Sequence, residues 1–319
     1  MISEECNYGT NLTGCASVCC FFLKNSCLAL RQRQIDGLIK GGVRRHTVGL
    51  QGGLGPFALC FDPYRKSDIV LPRFFVRLDA PLCGGLELEL PEAVSRHVQV
   101  LRMQPEQQVS LFDGRGGEWT STILSMGRKI VEVRIETHVR SARELPHPVT
   151  LAVGMPTNDR MDALVEKATE LGACAVQPLM LDRSVLRLDG ERALKKVAHW
   201  QGVAVAAAEQ SGRTCVPEIH PIRTLSQWLQ VPGAAQARCG LLSLGEGTVG
   251  IQRWAGALSD APAGTPVYFL SGPEGGLSPQ EEEMARGAGW QGVSLGARVL
   301  RADTAPLAAL SVLAAQWEA

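Results

Sequence analysis

The stretch Val267–Leu310, VYFLSGPEGGLSPQEEEMARGAGWQGVSLGARVLRADTAPLAAL, constrains the fold of this chain most. The apolar run Val267 to Leu270 has the composition of a buried parallel strand, and it feeds directly into Ser271-Gly-Pro-Glu-Gly-Gly276. Gly275 and Gly276 permit positive φ and let a ligand approach the main chain. Ser278-Pro279-Gln280-Glu281 then has the marks of a helix start: Ser as N-cap, Pro at the first helical position and Glu at the third. A second apolar run, Val293 to Leu295, ends in Gly296 and is followed by Arg298, Arg301, Asp303 and Thr304, then by a small-residue helix from Pro306 to Trp317. In open α/β sheets, ligands bind at the carboxyl ends of the strands. The two glycine loops are therefore a candidate site. They are neither a P-loop, since no Lys follows the glycines, nor a dinucleotide fingerprint, since GxGxxG is absent. A generic α/β crossover would carry the same punctuation, so pattern alone leaves both readings open.

The same alternation runs back to Val149. Val149–Val153 reads as a strand and Gly154–Asn158 as a loop. Met161–Leu171 reads as a helix with one apolar stripe of Met161, Leu164, Val165, Ala168 and Leu171, stopped by Gly172. Ala175–Leu181 is a strand. Glu191–Gln210 is a long helix with Leu194, Val197, Ala198, Val205 and Ala208 on its inner side, and Arg187, Arg192, Lys195 and Lys196 clustered at its start. A short helix at Leu225–Leu229 and a strand at Ala237–Leu244 follow, then a loop and helix region over 245–264. The pattern predicts a mostly parallel sheet with helices on both faces.

Before it, residues 72–140 read differently. Phe74–Val76, Leu86–Leu90, Gln108–Phe112, Glu118–Leu124 and Ile130–Thr137 are strand-like, with a helix at Glu92–Met103 and a hairpin turn at Met126–Lys129. Closely spaced short strands predict a small β-barrel of about 70 residues. Arg73, His97, Arg102, Arg115, Arg128 and Lys129 are either a basic face for RNA or a solvated surface, because acids in this region balance them. Ser141–Pro148 reads as a linker.

At 319 residues the chain has room for two domains, and its formal net charge of zero gives no molecule-wide field for nucleic acid, so RNA affinity would come from local patches. No apolar run approaches the roughly 18 residues of a membrane span. The ten Cys contain no CxxC pair and suggest no metal site; reduced thiols in a cytoplasmic protein is the simplest reading. Residues 1–70, with six of those Cys, lack sustained periodicity and are a poor signal peptide. They read as an unassigned extension, disordered or a misassigned start; an intact mass matching all 319 residues would refute a misassigned start.

Taken together, several segments resemble the RsmE family of the SPOUT superfamily, whose members methylate N3 of a uridine in 16S ribosomal RNA. They are PRFFV (72–76), HVQVLRM (97–103), LFDG (111–114), EKATELGA (166–173), AAEQSGRTCVPEI (207–219), FLSGPEGGLSPQE (269–281) and LGARVLRADTA (295–305), in the family's order over 72–319. The resemblance implies an α/β chain: a PUA-like β-barrel RNA-binding domain over 72–140, then a SPOUT domain with a trefoil knot over 147–319. It further implies a homodimer with S-adenosylmethionine as cofactor and 16S ribosomal RNA, in the 30S subunit, as partner. By motif, Leu270, Gly272, Glu274, Gly275, Gly276, Leu295, Gly296, Leu300 and Ala305 would surround the cofactor. Arg183 and Arg213, with Arg73 and Arg102, would contact RNA, surface salt-bridging being the alternative for Arg183 and Arg213.

Uracil N3 is a weak nucleophile until its proton leaves, so the site needs a base or a stabiliser of the charge that develops on the flanking carbonyls. Arg301 suits the second task and Asp303 the first, or Asp303 orients Arg301. Here the chain departs from the family, whose usual stretch is LRTETA. Ala302 lacks a hydroxyl, Asp303 is about 1.5 Å shorter than Glu, and Pro306 stands where a helix former is usual. Asp303 as a mere cap of the last helix is the alternative. Two other functions stay open: a SPOUT enzyme with another RNA target, and a catalytically inactive RNA-binding or assembly factor.

Overall fold

The computed structural model describes residues 71–141, 143–230 and 237–317. The readings of 1–70 lie outside the described residues. The first described part contains β1 (Arg73–Phe75), β2 (Glu87–Glu89), α1 (Glu92–Val100), β3 (Gln108–Phe112), β4 (Glu118–Met126) and β5 (Val131–Val139). The five strands run in the order β1-β3-β4-β5-β2, antiparallel except for β1 on β3. β5 shows why: Val131, Val133 and Ile135 point inward while Glu132, Arg134 and Glu136 point out. Register shifts at Thr120/Ser121 and Ile123/Ser125 bend β4. Phe74, Leu111, Ile123, Val133 and Val98 of α1 fill one core. Buried Ser95 ties α1 down, donating to Leu90 O at 3.0 Å and accepting from Val131 N at 3.2 Å.

The second part contains β6 (Val149–Gly154), α2 (Asn158–Glu170), β7 (Ala175–Met180), α3 (Gly190–Ser211), β8 (Glu218–Ile219), β9 (Arg223–Thr224) and α4 (Leu225–Leu229). It continues with β10 (Arg238–Leu242), β11 (Val249–Gly250), α5 (Ile251–Gly256), β12 (Val267–Ser271), α6 (Pro279–Gly287), β13 (Gln291–Ser294) and α7 (Thr304–Trp317). The sheet runs β11-β13-β10-β12-β6-β7-β8, with β9 also on β7, and every pair is parallel. One face packs against α2, α3, α5 and α7 through Leu164, Trp200, Trp254 and Leu310. The other packs against α4 and α6 through Leu225 and Ala285, with Trp290 just beyond α6. Helices on both faces explain why β6 is buried along its whole length.

One packing expectation is corrected. Leu194 of α3 is 68% exposed and Ala198 is exposed, while Trp200, Ala204, Ala207 and Ala208 are buried. At about 100° per residue, Leu194 and Ala198 lie well away from Trp200 around the helix. The Trp200 indole decides the inner face: it is fully buried and donates to Asp162 Oδ1 at 2.9 Å. Among the described residues, no helix is long and apolar enough to cross a membrane.

Candidate active site

β13, β10 and β12 lie side by side. The loops leaving their carboxyl ends bound a cleft of about 650 Å3. That volume is ordinary for a small-molecule site. Leu242, Val293, Leu295, Leu300 and Ala305 give it apolar walls, and Arg160, Glu274, Glu282, Arg298 and Arg301 add charge.

The glycine loop after β12 is built to one shape. A Cβ on Gly272 would stand 2.6 Å from the Gly276 carbonyl carbon and from Leu277 N, backbone atoms with no freedom to retreat. Only glycine fits there. The loop is also pinned from outside. Arg183 donates to Gly275 O at 2.9 Å and Leu277 O at 3.1 Å. Glu274 accepts from Thr157 N at 3.1 Å and lies 3.7 Å from Arg160. The capping box foreseen at Ser278–Glu281 forms, with Ser278 N donating to Glu281 Oε2 at 2.8 Å and Glu281 N to Ser278 Oγ at 3.2 Å. Buried Glu281 uses its other oxygen to accept from Asp182 N at 2.9 Å, and Ser278 Oγ donates to Asp182 Oδ2 at 2.8 Å. The turn after β7 thus clamps the loop after β12.

Of the residues expected around a cofactor, Gly272, Glu274, Gly275, Gly276, Leu295, Leu300 and Ala305 line the cleft, as does Arg301. Leu270 does not. Strand alternation turns it into the core with Ala152 and Leu241, fully buried. Gly296 forms the turn after β13, its N–H on Ser294 Oγ at 3.2 Å, outside the lining. Asp303 also lies outside the lining, just before α7, with Oδ1 buried and without a hydrogen-bond partner. Contributors that the sequence pattern does not mark include Arg160 of α2, Glu282 of α6 and the turn Ser243–Gly245. The strand read through Leu244 stops at Leu242, and Gly245 was the available signal.

The four arginines expected to meet RNA part company. Arg102 is exposed at the end of α1. Arg183 is exposed, yet its guanidinium holds the glycine loop. Arg73 and Arg213 are corrected: neither presents its charge to solvent. Arg213 is 4% exposed, pairs with Glu144 and donates to Thr169 O at 3.0 Å and Ala173 O at 2.7 Å. The Arg73 side chain, 11% exposed, pairs with Glu118 at 2.7 Å. Arg298 and Arg301, by contrast, are exposed, and their side chains make no hydrogen bond or ion pair among the described residues. Burial pushes the Cys239 thiol up to about 11, and raises Cys174 and Cys215 as well, so these three stay protonated at neutral pH. Among the described residues no three His, Cys, Asp or Glu side chains gather into a metal-holding group.

Comparison with known proteins agrees with this geometry. Residues 143–314 match the family model for an RNA methyltransferase domain, and 90–136 that for an RNA methyltransferase PUA domain. Ribosomal RNA small subunit methyltransferase E of Bacillus subtilis is 35% identical over 230 residues, 71% of this chain and 89% of its own length. The crystal structure of the Neisseria gonorrhoeae protein of that name, bound to S-adenosyl methionine, is 36% identical with a TM-score of 0.69, covering 77% of this chain and 98% of that one. A Legionella pneumophila structure with bound SAM is 32% identical with a TM-score of 0.67, over 77% and 98% of the two chains. This chain, with its PUA domain ahead of a SPOUT domain, belongs to the RsmE family of small-subunit ribosomal RNA methyltransferases.

Proposed function

We propose that this chain methylates N3 of a uridine in 16S ribosomal RNA, using S-adenosylmethionine, as a homodimer acting on the 30S subunit in the cytoplasm. The observation that carries the reading is that the pinned glycine loop and the unpaired Arg301 side chain line one cleft. The cleft fits the cofactor. Its volume suits a nucleoside with an amino-acid tail, its apolar walls suit an adenine, and the bare main chain of Gly272–Gly276 offers close polar contacts. Gly272, Gly275, Gly276, Leu295, Leu300 and Ala305 would hold it. When bound, it supplies a methyl group already activated on a sulfonium.

What remains for the chain is the acceptor. Arg301, exposed and unpartnered, is free to donate to the uracil carbonyl oxygens as N3 loses its proton. Asp303 is suited to accept that proton or to orient Arg301. An unpartnered buried carboxylate oxygen is costly and favours a partner arriving with the substrate. The capping alternative is weaker. A cap side chain accepts from the second or third helical N–H, the third residue of α7 is Pro306, which has none, and Asp303 makes no such bond. The dimer is supported by apolar side chains exposed beside the cleft, Val299 at 82% and Leu244 at 60%. On the barrel, Arg102 remains a candidate for RNA contact, with exposed Arg115, Arg128 and Lys129.

The test is a methyl-transfer assay with labelled cofactor and 30S subunits lacking the modification, followed by digestion to nucleosides. Label in N3-methyluridine is the expected result. No label, with cofactor binding intact by calorimetry, would favour the reading of an inactive assembly factor.

A further inference from the structure

We infer that Arg73 is a positioning residue: by reading the carboxyl end of α3 it locks the barrel to the cofactor-binding domain at one angle, and so sets where RNA held by the barrel meets the cleft.

The carboxyl end of a helix leaves its last carbonyls without intrahelical partners and carries partial negative charge. Arg73, on edge strand β1 of the barrel, meets that end with both Nη atoms of its guanidinium. It donates through Nη1 to Ala208 O at 3.2 Å and Glu209 O at 3.1 Å, and through Nη2 to Arg213 O at 2.8 Å. Its Nε goes to Glu118 Oε2 of β4 at 2.7 Å, and Ser110 Oγ donates to the same oxygen at 2.8 Å. A planar fork with fixed donors suits such a junction, because a change of angle breaks several bonds together. The catalytic domain answers from its side. Glu209 of α3 accepts from Phe75 N of β1 at 3.0 Å, and Cys215 Sγ donates to Gly114 O at 3.4 Å. Arg143, between the domains, donates to Gly212 O at 2.6 Å and lies 3.7 Å from Glu118 Oε1.

The inferred role in RNA positioning rests on the proposed function, since only an RNA that touches both the barrel and the cleft feels the angle between them. None of these groups touches the cleft, so loosening the junction changes how RNA is presented and leaves cofactor binding alone.

Full-length Arg73→Ala is expected to raise the KM for 30S subunits about tenfold, with cofactor Kd within twofold of wild type. Deuterium uptake should rise at residues 73–76 and 207–213 and stay unchanged at 272–278. Arg73→Lys, which keeps charge without the fork, should fall between. Glu209→Ala, a milder break of the return bond, should raise KM about threefold. An unchanged KM, or a loss of turnover that tracks a loss of cofactor binding, would overturn the inference. A wild-type protein idle on 30S subunits would defeat the proposed function instead. The exchange pattern would then decide alone whether Arg73 holds the junction.

Discussion

The barrel–helix junction and the cofactor cleft are both rich in arginine, and they use it in opposite ways. At the junction Arg73 and Arg213 are surrounded by carbonyls and carboxylates that take up their donors. At the cleft Arg298 and Arg301 stand exposed with no partner among the described residues. Burying a guanidinium is tolerable only where acceptors are already in place. Arginines left unpartnered at a ligand-sized opening have their acceptors still to come. The comparison thus separates arginines that build the molecule from those that meet something else.

The contrast can be broken most severely at Arg213. Arg213→Ala should destabilise the fold by about 3 kcal/mol, the lower end of the cost of breaking a buried pair because Glu144 is partly exposed, read as a lowered midpoint in denaturant. Arg301→Ala should do the reverse: a midpoint unchanged, cofactor affinity within twofold, and methyl transfer lowered by about a hundredfold or more. Near-normal turnover in that variant would remove Arg301 from the chemistry. Arg183 sits between the two classes. Arg183→Ala should weaken cofactor binding about tenfold, worth about 1.4 kcal/mol, with little loss of stability; calorimetry would check it.

The smallest effect is in pH. Burial alone would raise the Glu118 carboxyl, but its bonds to Arg73 and Ser110 and the charges of Arg73 and Arg143 outweigh this and hold it below its ordinary value. A depressed carboxyl contributes stability above its unfolded pKa and loses it as pH falls through the folded one. Glu209 is shifted the other way, raised by burial despite Phe75, His97 and Arg73, so acid favours its folded form. The midpoint gap between wild type and Arg73→Ala should therefore narrow below the ordinary carboxylate range. A constant gap from neutral to acid pH would mean that Arg73 works through its carbonyl contacts alone.

Much of the fold was legible because it depends on near neighbours in sequence. The alternation of Val131, Val133 and Ile135 announces β5, and Ser278 with Glu281 announces the start of α6. The cleft's glycine loop was legible for the same reason. The fates of Arg73 and Arg213 were not, since their partners lie far along the chain and any arginine looks basic in a sequence. The Ser243–Gly245 turn joins the cleft only because β10 lies between β12 and β13, an adjacency set by sheet order. Leu194 misleads because apolar character alone does not set a helix's rotation, which the Trp200–Asp162 bond helps fix.

The two oxygens of Glu281 are shared between Ser278 N and Asp182 N, at 2.8 and 2.9 Å. Together with the Arg183 bonds to Gly275 O and Leu277 O and the Ser278–Asp182 bond, Glu281 makes a single cooperative unit of two loops that are separated by nearly a hundred residues of chain. Local opening should release both together. A ligand seated on the glycine loop should accordingly slow amide exchange at Asp182, which lines no part of the cleft, and Glu281→Ala should weaken that coupling while the Arg183 and Ser278–Asp182 bonds preserve part of it.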